Sequence, residues 1–397
     1  MSTPSLPALT ILKGRSQRLR KGHPWLFSNE VDMTPEAKAL PPGTLVQVID
    51  AGSEQLGIAT FNPHSLIAAR MISRDPHSVI DQSFLAGLIG KADALRSLLF
   101  PRPFYRLVHS EADGLPGLII DRYGDVFTVQ ANTAGMDRLL PEIEQALTAL
   151  FQPRAIVLRN DSPVRGLEGL EIYHRLASGT LDGPVEIEEN GVRLFADLSD
   201  GQKTGWFYDQ RPNRAFIASL AKGRRVIDLY CYAGGFGVQA LAAGADSAVF
   251  VDRSAHALGL ARMAAEANGA SGRFSQHEGD VFKVAADLAA AGETFGVVVA
   301  DPPAFVKSRK DLAAGSKGYR KMARLAAALV EPGGFLLCGS CSHHMPEDTF
   351  LEEVSRGIAQ AGRSGRILWR HGAGPDHPVH PSLPESAYLK SIVFQLD

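Results

Sequence analysis

RVIDLYCYAGGFG, residues 225–237, begins as a short apolar strand, carries a carboxylate at Asp228 and runs directly into a glycine-rich turn. The same alternation continues outward from it. AVFVDR (248–253), RFSQHEGD (273–280), GVVVADPP (296–303) and GFLLCGSCS (334–342) read as strands, with helical stretches near 235–243, 254–268, 281–291 and 316–330. Short apolar runs alternating with helices predict an α/β domain built on a mostly parallel, doubly wound sheet. A helix near 346–362 and the strands RILWRHG and YLKSIVFQL then extend one edge of that sheet.

Ligands of such sheets bind beyond the carboxyl ends of the strands, so the residues just past each strand are the ones to weigh. After the first strand, Gly234, Gly235 and Gly237 let the backbone approach a ligand, with Tyr230 and Phe236 beside them. The spacing departs from the dinucleotide fingerprint G-x-G-x-x-G. The second strand ends in Asp252, an acid suited to accept both hydroxyls of a ribose. The third is followed by Asp280, Val281 and Phe282, an acid and an aromatic suited to an adenine amine and ring face. Three unrelated strand-terminal acids are the alternative, and their succession behind a glycine turn speaks against it. Asp228 inside the strand followed by this turn resembles motif I of class I S-adenosylmethionine-dependent methyltransferases, a Rossmann-like fold.

The fourth strand ends in Asp301-Pro302-Pro303, where two prolines stiffen the backbone behind a carboxylate. Related signatures occur in enzymes that methylate an exocyclic nitrogen, so this motif alone does not separate nitrogen from carbon methylation. The fifth strand ends in Ser340-Cys341-Ser342, a thiol at the catalytic edge. Cytosine carbon 5 is a poor nucleophile, and a thiolate adding to carbon 6 makes it electron-rich; nitrogen methylation needs no thiol. A cysteine is ordinarily a small buried hydrophobe. That is the reading for Cys338, inside the strand, and for Cys231, under the glycine turn, whereas the strand-end position of Cys341 favours a nucleophile.

Upstream, VEIEENGVRLFADL (185–198) predicts a hairpin turning at Asn190-Gly191. KTGWFYDQRPNR (203–214) follows, with three adjacent aromatics able to stack a base or adenine; Tyr208, Asp209, Gln210 and Arg211 are candidates to border the cofactor, although an N-capped helix entry accounts for the same residues. Residues 1–75 read as a small β-rich unit of short strands broken by Pro and Gly, and residues 76–183 as an α+β unit without a catalytic signature of its own. In that unit Ser110-Glu111-Ala112-Asp113-Gly114 reads as turn chemistry. The domain expectation is therefore 1–75, 76–183 and 184–397.

The 397 residues carry 41 basic against 43 acidic side chains, a formal charge of −2, so the chain is not coated with positive charge. The cations are local: Arg15, Arg18 and Arg20 lie in one basic run from 13 to 21, and Lys307, Lys317 and Arg320 in another from 307 to 324. A single such run is ordinarily a solvated face. Three cysteines without paired spacing indicate neither a disulfide framework nor a structural metal. No stretch approaches the roughly 20 apolar residues of a membrane helix, and a cytoplasmic location is expected.

Taken together, GRSQRLRKGHPWLFSNEV (14–31), EADGLPGLIIDRYGD (111–125), KTGWFYDQRPNR, DLYCYAGGFG, DPPAFVKS with KGYRKMARLA, GSCS and DHPVHPSLPESAYLKS (376–391) resemble the RlmI (YccW)-type family. These are large-subunit ribosomal RNA cytosine-C5 methyltransferases with an N-terminal PUA domain, which binds RNA, a central α+β domain and a C-terminal methyltransferase domain. The resemblance implies 23S rRNA as partner, S-adenosylmethionine as cofactor and often a homodimer. It implies contacts to the cofactor from Asp228, Gly234, Asp252 and Asp280, with Tyr208 to Arg211 bordering that pocket. It further implies that Asp301 faces the cytosine and Cys341 attacks it. A second cysteine after the fourth-strand proline, found in another branch of cytosine-5 enzymes, is replaced here by Pro303-Ala304. Two other readings compete: an RNA-binding assembly factor that binds the cofactor without turnover, and methylation of a small molecule. Intact Asp301 and Cys341 oppose the first; the basic run beside Asp301 and the PUA-like front oppose the second.

Overall fold

Phe295–Ala300 is apolar throughout and buried on both faces, the mark of an inner strand in a parallel sheet. The computed structural model, which describes residues 6–199 and 204–397, places this strand, β4, at the middle of seven. The others are β1 (Arg225–Leu229), β2 (Ser247–Asp252), β3 (Phe274–Glu278), β5 (Val330–Ser340), β6 (Gly365–His371) and β7 (Lys390–Leu396), in the order β3-β2-β1-β4-β5-β7-β6. Strands β1 to β5 are parallel, β7 runs antiparallel to β5, and β6 runs antiparallel to β7 at the edge.

Helices α1 (Arg211–Leu220), α2 (Gly235–Ala242), α3 (Ala255–Ala267), α4 (Val281–Ala290), α5 (Leu312–Ala328) and α6 (Glu347–Gln360) belong to the same unit. Ser254 caps α3 by accepting from Ala257 N, and Asp280 caps α4 by accepting from Lys283 N. Helix α5 starts at Leu312, earlier than the expected 316. The capping box of Ser308 and Asp311 sets that entry from a short 3-10 turn, Arg309–Asp311. The hairpin pairs Val185–Glu189 with Val192–Ala196, and Asn190 and Gly191 take the left-handed φ values of 54° and 77° that such a two-residue turn requires.

By its internal contacts the chain divides into two compact units. The second holds Pro184–Asp197, Phe207–Pro375 and Glu385–Asp397; Leu198–Trp206 and Asp376–Pro384 belong with the first. Within the first unit, the N-terminal five-stranded sheet has its own core around Val46, Val48 and Phe61. A second five-stranded sheet packs with the helices Gln82–Leu99 and Leu140–Phe151 around Leu107, Ile120 and Ile143. Ile58 and Ile72 of the N-terminal strands sit in this second core, so the two sheets of the first unit share apolar packing. The helices Ala134–Arg138 and Leu140–Phe151 follow one another directly, and a further strand, Tyr173–Gly179, pairs with Ala155–Asn160. No described helix is long and apolar enough to cross a membrane.

Candidate active site

The turn after β1 is shaped by close approaches that leave no room for a side chain. Gly234 has φ 77°, and a Cβ there would lie 2.8 Å from that of Ala261; a Cβ on Gly237 would lie 2.3 Å from the Phe250 ring. Phe236 between them is buried. Tyr230 and Tyr232 adopt left-handed φ values of 64° and 49°, at a cost of about 1–3 kcal/mol each. The Tyr230 hydroxyl is buried without a hydrogen-bond partner among the described residues, and burial with the nearby Asp280 charge pushes its pKa up.

Asp228 is buried beneath this turn and accepts from Gly237 N at 2.9 Å. Burial raises its pKa to about 7, against the opposing effects of that amide and of the Arg214 cation. It therefore fixes the loop from below. Asp252 is held by two backbone amides, Tyr232 N to Oδ2 at 3.0 Å and Ser254 N to Oδ1 at 3.0 Å. Asp280 is exposed, with Arg253 at 3.4 Å, while Val281 beside it is buried. Asp228, Gly234, Phe236 and Asp252 thus converge on one turn, and Asp280 stands at the end of the adjoining strand connection.

The stretch 208–211 has divided tasks. The Arg211 guanidinium lies over the Tyr208 ring at 5.4 Å and 3.7 Å from Glu189. Asp209 accepts from the Tyr388 hydroxyl, and its carbonyl from Gly374 N at 2.9 Å. Gln210 reaches the strand ends directly: its Nε2 donates to Asp301 Oδ2 at 2.8 Å, and its Oε1 accepts from Asn213 at 2.7 Å. Lys203, the first residue of that sequence motif, lies outside the described residues.

Asp301 follows β4, and the neighbouring position in β5 is Gly339, where a Cβ would lie 2.3 Å from Asp301 Oδ1. Only glycine there leaves room for the carboxylate. Cys341 follows β5 and is partly exposed; Cys231 and Cys338 are buried, which raises both of their thiol pKa values. The loop around Cys341 is pinned from α5 and β7. The Tyr319 hydroxyl bonds Ser340 Oγ and Ser342 Oγ, each at 2.8 Å, and Lys390 Nζ donates to the carbonyls of Ser342 and Met345. Neither Tyr319 nor Lys390 was singled out from the sequence. The available signal was a lysine opening the otherwise largely apolar strand KSIVFQL, an unusual place for an ammonium.

The basic runs are mixed, with some members held in ion pairs and others not. Arg18 pairs with Glu30 at 2.8 Å and lies over the Phe27 ring; Arg20 reaches Asp50 at 2.8 Å and Glu54 at 2.6 Å; Arg320 pairs with Glu353 at 2.6 Å. Arg15, Lys307 and Lys317 are exposed and form no ion pair among the described residues.

Residues 168–395 match the family described as S-adenosylmethionine-dependent methyltransferase, and residues 9–74 match a PUA-like domain. The chain is 37% identical over 391 residues to the ribosomal RNA large subunit methyltransferase I of Pseudoalteromonas atlantica, covering 97% of this chain and 98% of that one. It is 38% identical over 395 residues to the enzyme of the same name from Aeromonas hydrophila, with the same coverage of 97% and 98%. The chain belongs to the ribosomal RNA large subunit methyltransferase I family. A solved SAM-dependent methyltransferase structure from Streptococcus mutans shares the fold at TM-score 0.79 and 21% identity, covering 98% of this chain and 100% of that one. The cofactor of this family member is S-adenosylmethionine, and its residues fit one. The glycine turn packs tightly on Ala261 and Phe250, Asp252 at the end of β2 is oriented by two backbone amides, and the Tyr230 hydroxyl is buried without a hydrogen-bond partner among the described residues.

Proposed function

We propose that the chain methylates carbon 5 of a cytosine in large-subunit ribosomal RNA, with Cys341 as nucleophile. The observation that carries this reading is the contrast among the three cysteines. Two are sealed in the core, and Cys341 alone is partly exposed, one residue beyond β5 on the strand beside Asp301. Relatives named for ribosomal RNA of the large subunit support the substrate class.

Asp252, Asp280, Tyr230 and the Gly234 turn would hold S-adenosylmethionine, which supplies an electrophilic methyl group when bound. Cys341 adds as a thiolate to carbon 6 of the base, and the carbon–sulfur bond makes carbon 5 nucleophilic. Asp301, aimed by Gln210 and by the empty side of Gly339, hydrogen-bonds the cytosine edge and stabilises charge on the ring as the adduct forms. After carbon 5 is methylated and loses its proton, the thiolate is expelled and Cys341 is restored. Arg15, Lys307 and Lys317 supply phosphate contacts. Arg18, Arg20 and Arg320 contribute less, because carboxylates already offset their charge.

RNA carrying 5-fluorocytosine at the target tests the mechanism, since fluorine does not leave as a proton does. The expected product is a denaturation-resistant protein–RNA adduct that requires both S-adenosylmethionine and Cys341. If a Cys341→Ser protein methylates at the wild-type rate, the thiol mechanism is wrong and the Asp301-Pro302-Pro303 signature points to an exocyclic nitrogen instead.

A further inference from the structure

Lys390 opens β7 directly opposite Ser340 in the antiparallel register with β5. It is 8% exposed, and lysines are almost never buried without a partner. Its Nζ donates to Ser342 O at 2.7 Å and to Met345 O at 2.9 Å, so it spans the 342–345 turn that directly follows Cys341. An ammonium has three N–H donors; the third has no hydrogen-bond partner among the described residues. No carboxylate forms a salt bridge with it there either. The buried charge is therefore balanced by two carbonyl dipoles, by negative charge on Cys341 and by the more distant Glu347.

The other titratable groups around this loop are Tyr319 from α5, Glu347 of α6, Asp301 past β4, His343 and His344 on the loop, and Tyr388, on which His343 stacks at 4.9 Å. Glu347 is itself paired with the exposed Arg370 of β6 at 2.6 Å, both histidines are exposed and the tyrosine hydroxyls carry no positive charge, which leaves Lys390 as the buried cation among these groups. Burial lowers the Lys390 pKa, and charge on Cys341, ahead of Glu347, raises it. The interaction is reciprocal: whatever favours the ammonium beside the thiolate favours the thiolate beside the ammonium.

We propose that Lys390 is a positioning residue for the nucleophile, clamping the 342–345 turn through two carbonyls and holding Cys341 as a thiolate before the base arrives. This rests on the reading of Cys341 as nucleophile. The thiol proton passes to solvent when the thiolate forms. The thiolate then adds to carbon 6 and is returned by elimination after the carbon 5 proton has left. Lys390 keeps all three protons throughout and acts as a fixed charge, not as a base.

The test is alkylation of Cys341 by iodoacetamide in the full-length protein without RNA or cofactor, followed by mass spectrometry from pH 5.5 to 10. Wild-type Cys341 is expected to titrate below the ordinary cysteine value of about 8.5. Lys390→Met is expected to raise that midpoint by about one unit, so that alkylation at pH 7 falls about tenfold and recovers at high pH. Lys390→Arg keeps the charge and the wild-type midpoint. A purely structural lysine would alter amplitude or stability and leave the midpoint in place. An unchanged midpoint in Lys390→Met overturns the proposal, and so does a wild-type midpoint at or above the ordinary value, which decides the matter even if Lys390→Met does not fold. Methylation by Cys341→Ser would instead refute the nucleophile reading and leave the thiol titration standing.

Discussion

The two halves of the sheet's carboxyl edge are held in place by different means. Past β1 to β3, the acids are oriented by backbone amides from residues close in sequence: Gly237 N for Asp228, Tyr232 N and Ser254 N for Asp252, and Lys283 N for Asp280. Past β4 and β5, Asp301 and the Cys341 loop are oriented by side chains from far along the chain: Gln210, Tyr319 and Lys390. Backbone amides are present whatever the sequence, so orienting these acids needs no particular partner side chain, although Gly234 and Gly237 must stay without one. The thiol half depends on a few distant side chains, and single substitutions there should cost activity more than stability.

The sharpest break is expected at Gly339→Ala. The added methyl would meet the Asp301 carboxylate at 2.3 Å, and the carboxylate is the part able to move. A misplacement of about 1 Å lowers turnover by roughly 100-fold, while the overpacking cost stays near 1–3 kcal/mol. Single-turnover methylation beside a urea unfolding curve separates the two effects. If activity falls only in step with stability, Asp301 does not need its position.

Asp252→Ala probes the other half. Losing a charged acceptor for the cofactor should weaken S-adenosylmethionine binding by about 1–3 kcal/mol, read by calorimetry, with the fold intact. An unchanged affinity would remove Asp252 from the cofactor site.

Asp228 sharpens the comparison through pH, because its folded-state pKa is raised from 3.8 to about 7 by burial. Between those values the folded protein holds a proton that the unfolded chain has released, so this group makes stability fall as pH rises from about 4 to 7. Asp228→Asn keeps an oxygen for Gly237 N and removes the titration. Its stability relative to wild type should therefore rise across that window and level off above it. A pH-independent difference would mean that Asp228 does not titrate there.

The smallest effects concern the basic runs. Arg15→Ala, Lys307→Ala and Lys317→Ala should each lessen the slope of log RNA affinity against log salt by roughly 0.7–0.9 for every phosphate no longer neutralised. Arg20→Ala should change it less, since Asp50 and Glu54 already flank that guanidinium. Equal slopes for Arg15→Ala and Arg20→Ala would erase the distinction.

The succession of strands and the acids at their carboxyl ends were legible in the sequence because they rest on local rules: apolar runs of strand length, a glycine turn, and acids at or just past strand ends. The Asn190-Gly191 turn was legible for the same reason. The packing shared by the two sheets of the first 183 residues was not, since Ile58 and Ile72 show no sign in sequence of facing a second core. Nor was the fate of the basic runs, because the partners of Arg20 lie 30 and 34 residues away. Cys341 could be named a candidate from its place at a strand end. That Gly339 makes room for Asp301, and that Tyr319 and Lys390 hold Ser340, Ser342 and Met345 around Cys341, follows only from the packing of β5 against β4, β7 and α5. Periodicity specifies which face of a strand a residue occupies; only the folded register decides what stands opposite it.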